Sequence, residues 1–245
     1  MKKKAMALVL ALGLVTVGIV GGTMAWLTAE ATEVKNVFTD SDINITLTET
    51  GLQNNKNSYK MIPGHPIAKD PKVKVVDGSE DCWLFVKITE STTPDLDAYI
   101  CYAIAEGWQI VEPKDSEGKP IQDITSADEI VIGRKVLKGN GAEGFAILGK
   151  GEYTDNMGTD DVKDDWTVTW GENEVCVKPS VTKTMMDAID GIHAQGNAAS
   201  SEKGPTLTFK AYAVQLYTGA KNKDDTKVEF TADQAWAQAN NIANP

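Results

Sequence analysis

Past residue 37 the chain is patterned in short runs whose apolar positions recur every second residue, separated by glycine, proline, asparagine and aspartate. Period-two alternation bounded by turn formers is the signature of half-buried strands, and many such runs in succession predict a sandwich or barrel. Strands are predicted over 43–48, 72–76, 82–89, 99–105, 129–137, 144–148, 166–170, 174–178 and 207–217. In 82–89 both parities are apolar, which predicts a central strand covered on two sides. In Trp166-Thr167-Val168-Thr169-Trp170 the alternation is strict, so one face should be wet. Two segments break the pattern with helical spacing. After Ser180, a plausible N-cap, Val181, Met185, Met186 and Ile189 share a helical face. Thr231 to Gln234 has capping-box form, followed by Ala232, Ala235, Trp236 and Ala239 along one side. Residues 150–165 and 191–204 are expected to be long surface loops.

The amino terminus follows another rule. Lys2, Lys3 and Lys4 precede an uncharged run from residue 5 to 29, the layout of a secretory signal peptide. About 20 apolar residues would also span a bilayer. The small-x-small triplet Thr23-Met24-Ala25 after Gly21-Gly22 favours cleavage, near Ala25 or Trp26. Three parts are therefore expected: a signal peptide over 1–25, an amino-terminal segment over 26–53, and a β-sandwich over 54–245. Contact with a membrane is expected only before cleavage.

Composition narrows the partners. Residues 1–25 carry three lysines and no acid, so their removal takes the formal charge from −11 to −14. So acidic a surface repels phosphate backbones, and nucleic acid is not an expected partner. Cys82, Cys101 and Cys176 do not form a disulfide framework, and they lack the CxxC pairs of a zinc site. They read as small buried strand residues, with one bridge and one free thiol as the alternative.

Candidate chemistry adds little. Gly139 to Gly144 spells GxGxxG, but the apolar run after it is a strand, where a dinucleotide site needs a helix N-terminus, so a hairpin turn is expected. The only histidines are His65, in the turn Pro63-Gly64-His65-Pro66, and His193; neither belongs to an HExxH pair. The acidic clusters at Asp40 and Asp42, at Asp160, Asp161, Asp164 and Asp165, and at Asp224-Asp225 miss the EF-hand spacing. The expectation is a non-enzymatic chain with no cofactor and no metal or catalytic set.

Three stretches resemble one family. Gly22-Thr23-Met24-Ala25-Trp26-Leu27-Thr28 followed by Asn36-Val37-Phe38-Thr39 and Asp42 to Leu47 is the first. The second is Ile62-Pro63-Gly64 with 69–76 and 82–88, and the third is 207–215 with Ala235-Trp236. Together they resemble the TasA- and camelysin-like secreted proteins of Gram-positive bacteria, whose leaders are cut by a SipW-type signal peptidase. Trp26 and Leu27 depart from the residues common there, and 112–165 match nothing in the family. The resemblance implies a jelly-roll-like antiparallel β-sandwich exported to the extracellular matrix or cell surface of a biofilm. Gly22, Thr23, Ala25 and Trp26 would be the processing residues, and the signal peptidase a partner. It further implies self-association, or association with another matrix protein, through a donor strand carrying Val37, Phe38, Ile43, Ile45 and Leu47. Phe38 lies on another parity from Ile43, so a bulge or turn is expected at 40–42, between the piece carrying Val37 and Phe38 and the strand. Camelysin-like members imply a surface metalloprotease as the alternative, although no ligand set carries over; a monomeric adhesin binding through 150–165 is a third reading.

Cleavage and strand release should be coupled. An Ala25→Pro variant is expected to stay membrane-bound and unassembled in cell fractionation, and normal extracellular fibres from it would refute the coupling.

Overall fold

The computed structural model describes residues 43–52, 58–124, 127–194 and 204–243. The processing residues Gly22, Thr23, Ala25 and Trp26, together with Val37 and Phe38, lie outside them. Residues 41–245 form one unit.

The element order is β1 (Ile45–Thr48), β2 (Pro66–Ala68), β3 (Lys72–Val75), β4 (Cys82–Glu90), β5 (Ile100–Cys101), β6 (Ala103–Ile104), β7 (Gln109–Glu112) and β8 (Glu129–Val136). There follow β9 (Phe145–Ala146), β10 (Leu148–Gly149), β11 (Gly151–Asp155), β12 (Trp166–Trp170), β13 (Glu174–Val177), helix α1 (Lys183–Ala194), β14 (Leu207–Gln215), β15 (Tyr217–Lys221), β16 (Lys227–Glu229) and helix α2 (Ala232–Ala243). All strand pairings are antiparallel. The fold is the predicted all-β, jelly-roll-like antiparallel sandwich, with one short helix, α1, in a connection and a second, α2, after the last strand.

The principal sheet has the order β14-β4-β8-β7. Strand β4 is central because its sequence allows it to be. Cys82, Leu84, Val86 and Ile88 face one side and pack with Ile130, Ile132 and Val136 of β8 against Val73, Val75 and Ile147 of the opposing layer. Trp83 and Phe85 face the other side, where α2 covers them with Ala235, Trp236 and Ala239. Phe85 and Tyr212 each bring a ring centroid to 5.5 Å from Trp236. The opposing layer consists of small sheets, β1-β3-β9, β6-β10 and β2-β13-β5. At one end of the interior, Arg134 lies 3.8 Å from the Phe145 ring centroid and 5.3 Å from that of Trp108.

Several predicted strands are broken or displaced. The run 99–105 divides at Tyr102, because β5 pairs with β13 while β6 pairs with β10. The run 144–148 divides at Ile147 for the same reason, β9 joining β3 and β10 joining β6. The GxGxxG segment is a turn with positive φ at Gly139 (83°) and Gly144 (75°), but not a hairpin. It carries the chain from β8 in the principal sheet to β9 in the opposing one.

The predicted loop at 150–165 is shorter than expected. Residues 151–155 are strand β11, paired with β12 from Gly151↔Trp170 to Asp155↔Trp166. Its first residue must be glycine, since a Cβ there would lie 2.2 Å from the Trp170 ring. The predicted loop at 191–204 begins later, because α1 runs to Ala194; residues 195–203 lie outside the described ones.

Both predicted helix faces are present. Ile189 is buried on α1 with Met185 and Met186 packed beside it, and the buried Val181 joins them from just before the helix, which begins at Lys183. The cap of α1 is Thr182, whose Oγ1 accepts from the Met185 N–H at 3.2 Å, and not Ser180. Ser180 is engaged elsewhere, its backbone N–H donating to Asp155 Oδ2 at 3.0 Å. The capping box of α2 is closed in both directions: Gln234 N–H donates to Thr231 Oγ1 at 3.3 Å, and Thr231 N–H to Gln234 Oε1 at 3.0 Å.

The contact between β8 and the Phe85 ring is the tightest test of this packing. A Cβ at Gly133 would sit 2.7 Å from Phe85 and 3.2 Å from Val111. Gly133→Ala is expected to lower unfolding stability in urea by about 1–3 kcal/mol through overpacking.

Candidate functional site: the first strand and its anchors

Strand β1 carries the described part of the predicted donor segment. Its residues alternate as expected: Ile43, Ile45 and Leu47 are half-buried against the core cluster of Val73, Val75, Leu84 and Val86, while Asn44, Thr46 and Thr48 are exposed. It pairs with β3 of its own chain in the register Ile45↔Val75, Thr46↔Lys74, Leu47↔Val73 and Thr48↔Lys72. As the outer strand of its sheet, it has no strand partner on its second edge among the described residues. Full burial of these three apolar side chains would stabilise by about 5–9 kcal/mol, and half burial by correspondingly less.

Polar groups hold β1 at both ends. At its start, Asn44 N–H donates to Ser79 Oγ at 3.0 Å and Val76 N–H donates to Asn44 O at 2.8 Å. At its end, Lys69 Nζ lies 3.0 Å from Glu49 Oε1, and both side chains are close to fully buried (11% and 8% exposed). The Tyr59 hydroxyl also donates to Glu49. Lys69 Nζ stands 5.2 Å and 5.3 Å from the ring centroids of Tyr59 and Phe209. Thr50 donates to Asp70 from its backbone N–H at 2.8 Å and its hydroxyl at 2.7 Å. Burial works against ionisation of Asp70, but the Thr50 bonds and the Lys72 charge hold its carboxyl below the usual range. A buried ion pair losing one member costs several kcal/mol, so these contacts fix where β1 ends. None was legible in the sequence, because the hydrogen-bonded partners lie 10 to 35 residues apart and none has a local motif.

A second buried polar group sits at the far end of β4. Glu90 is 6% exposed and accepts a hydrogen bond from the Tyr102 hydroxyl. Burial raises its carboxyl to about 7, and the charges of Asp97, Asp128 and Asp95 push the same way against the Tyr102 bond.

The other candidates stay apart. His65 is exposed in its turn, with Nδ1 3.0 Å from Pro63 O, and His193 falls within α1. Among the described residues no three His, Cys, Asp or Glu side chains are gathered so as to hold a metal ion, and no helix is long and apolar enough to cross a membrane. Cys82 and Cys176 are buried and Cys101 is half-buried. No protein-family model, curated protein or solved structure matches the chain.

Glu90 gives the pH dependence a definite sign. Its folded-state value of about 7 lies above the ordinary 4.5, so the folded chain binds the proton more tightly and stability falls as pH rises between those values. Urea denaturation from pH 4.5 to 7 should show a loss on the order of 3 kcal/mol, and Glu90→Gln should flatten the curve.

Proposed function

We propose that the chain is a secreted structural protein of a bacterial extracellular matrix or cell surface, of the TasA- and camelysin-like kind, which assembles by β-strand addition. A SipW-type signal peptidase would process its leader at Gly22 to Trp26, leaving the mature chain without a membrane segment at its start. The observation that carries this reading is the character of β1. It is short, alternating, half-buried and paired along one edge, so the register Ile45↔Val75 and Leu47↔Val73 can be satisfied by the same strand of a neighbouring subunit. Exchange of identical elements builds an assembly with contacts the fold already possesses. Backbone hydrogen bonds supply affinity, and the alternate side chains Ile43, Ile45 and Leu47 fix register. The upstream segment with Val37 and Phe38 would extend the donated strand. Net charge of −14 on the mature chain keeps unassembled subunits apart, so pairing must come from a specific strand.

Filament formation by the protein starting at Trp26 should be compared, by electron microscopy and by size, with that of a version starting at Asn54. The shorter form is expected to remain unassembled and to bind a synthetic peptide of residues 41–52. A Leu47→Glu peptide should bind about 10- to 100-fold more weakly, and Leu47→Glu in the longer protein should lose filaments. Equal assembly of the long and short forms would remove strand donation.

A further inference from the structure

Two of the three cysteines are brought together across a sheet. In the register of β13 with β5, Cys176 stands directly opposite Cys101, with Val177 opposite Ile100. Directly opposed residues of an antiparallel pair project from the same face, with Cα atoms about 4.5–5.5 Å apart. That spacing falls within the roughly 4.4–6.8 Å that a disulfide bridges without moving the backbone. The Cys101 side chain is turned toward the facing strand, its Sγ lying 3.4 Å from Cys176 O, while Cys176 Sγ lies 3.5 Å from Val177 O of its own strand. Around them Val168, Trp170, Ala103 and Tyr153 form an apolar cluster. The third cysteine stands elsewhere, Cys82 being opposite Val136 and Gln215 in the principal sheet.

We propose that Cys101 and Cys176 are a disulfide-forming pair, closed by a small-molecule or protein disulfide as oxidant. One cysteine, as its thiolate, attacks a sulfur of that oxidant, giving a mixed disulfide and releasing one thiolate. The second cysteine then attacks the protein-bound sulfur of the mixed disulfide, forming the Cys101–Cys176 bond and releasing the second thiolate. The two protein thiols lose two electrons and two protons, and the oxidant becomes two thiols. Burial raises both protein thiols, Cys101 to about 12, so thiolate is scarce once the cluster has closed. The bond therefore forms while β5 and β13 are docking, before Trp170 and its neighbours exclude the oxidant. Once made, it ties residues 75 apart in sequence and restricts the unfolded chain. The chemistry needs no neighbouring subunit, and it proceeds in any compartment that supplies the oxidant.

The test is to refold the reduced, denatured mature chain in a buffer of reduced and oxidised glutathione, quench with acid, alkylate under denaturing conditions and weigh the product. One alkylated thiol is expected, at Cys82, with a proteolytic fragment pair joined through Cys101 and Cys176. Three alkylated thiols, or a linkage through Cys82, would overturn the proposal. A Cys82→Ala variant should give no alkylated thiol after oxidative refolding and two after reduction; two before reduction would count against the pair. Reduction of the oxidised protein is expected to lower its unfolding midpoint by roughly 5–15 °C. An unchanged midpoint, with the linkage absent from the mass spectrum, would confirm that the strands close without it.

Discussion

The structure depends on covering one strand from two sides. Strand β4 has apolar residues at every position from Cys82 to Val86, so neither face tolerates water. Its even positions require an opposing sheet, and its odd positions require something else. The amphipathic face of α2 meets the second demand, fixed in place by the Thr231 capping box and by Trp83, whose indole N–H donates to Phe230 O at 2.9 Å. The opposing layer meets the first, with Val73, Val75 and Ile147 packed on the even positions of β4 and on Ile130, Ile132 and Val136 of β8. The position of β1, at the margin of that layer, follows from this arrangement: Ile43, Ile45 and Leu47 complete the wall above the Val73 and Val75 pair.

Strands that bury one clean face, or two, were the most legible in the sequence. Residues 82–89, 129–137 and 166–170 appear nearly as their patterns foretell, because alternation and burial act over the whole strand. What escaped were elements defined by partners distant in sequence. Tyr102 and Ile147 look like strand interiors, and only the exchange of one neighbouring strand for another breaks the chain there. Strand β2 begins at a proline, and β11 has a glycine and three polar residues out of five, so each carries turn-like composition. Their strand identity comes from the slot offered by β13 and β12. The exchange of Ser180 for Thr182 as the helix cap has a similar origin: Asp155, presented by β11, competes for the serine.

The site divides in the same way. The alternation of β1 and its three apolar residues could be read directly, since they obey a local period. The anchors could not. Glu49, Lys69, Asp70 and Ser79 look like ordinary surface residues along a line of text, and they acquire a role only when β3 brings them beside β1. A similar dependence governs Glu90, which ends β4 and whose neighbours Asp95, Asp97 and Asp128 arrive from two different connections. Polar residues that matter here are defined by what encloses them, while apolar ones announce themselves by rhythm.

The pairing of β14 with β4 has a bearing on how the chain comes to be folded at all. Thr206, at the edge of that ladder, bonds to Ser91, 115 residues earlier. A chain delivered amino terminus first thus presents β4, its most apolar strand, long before the strand that covers one of its edges, and before the helix that covers one of its faces. Ladders between such distant segments form slowly, and uncovered edges of this kind invite the wrong neighbour. The waiting time between the two strands is the interval in which the molecule most needs protection, and it is set by sequence order alone.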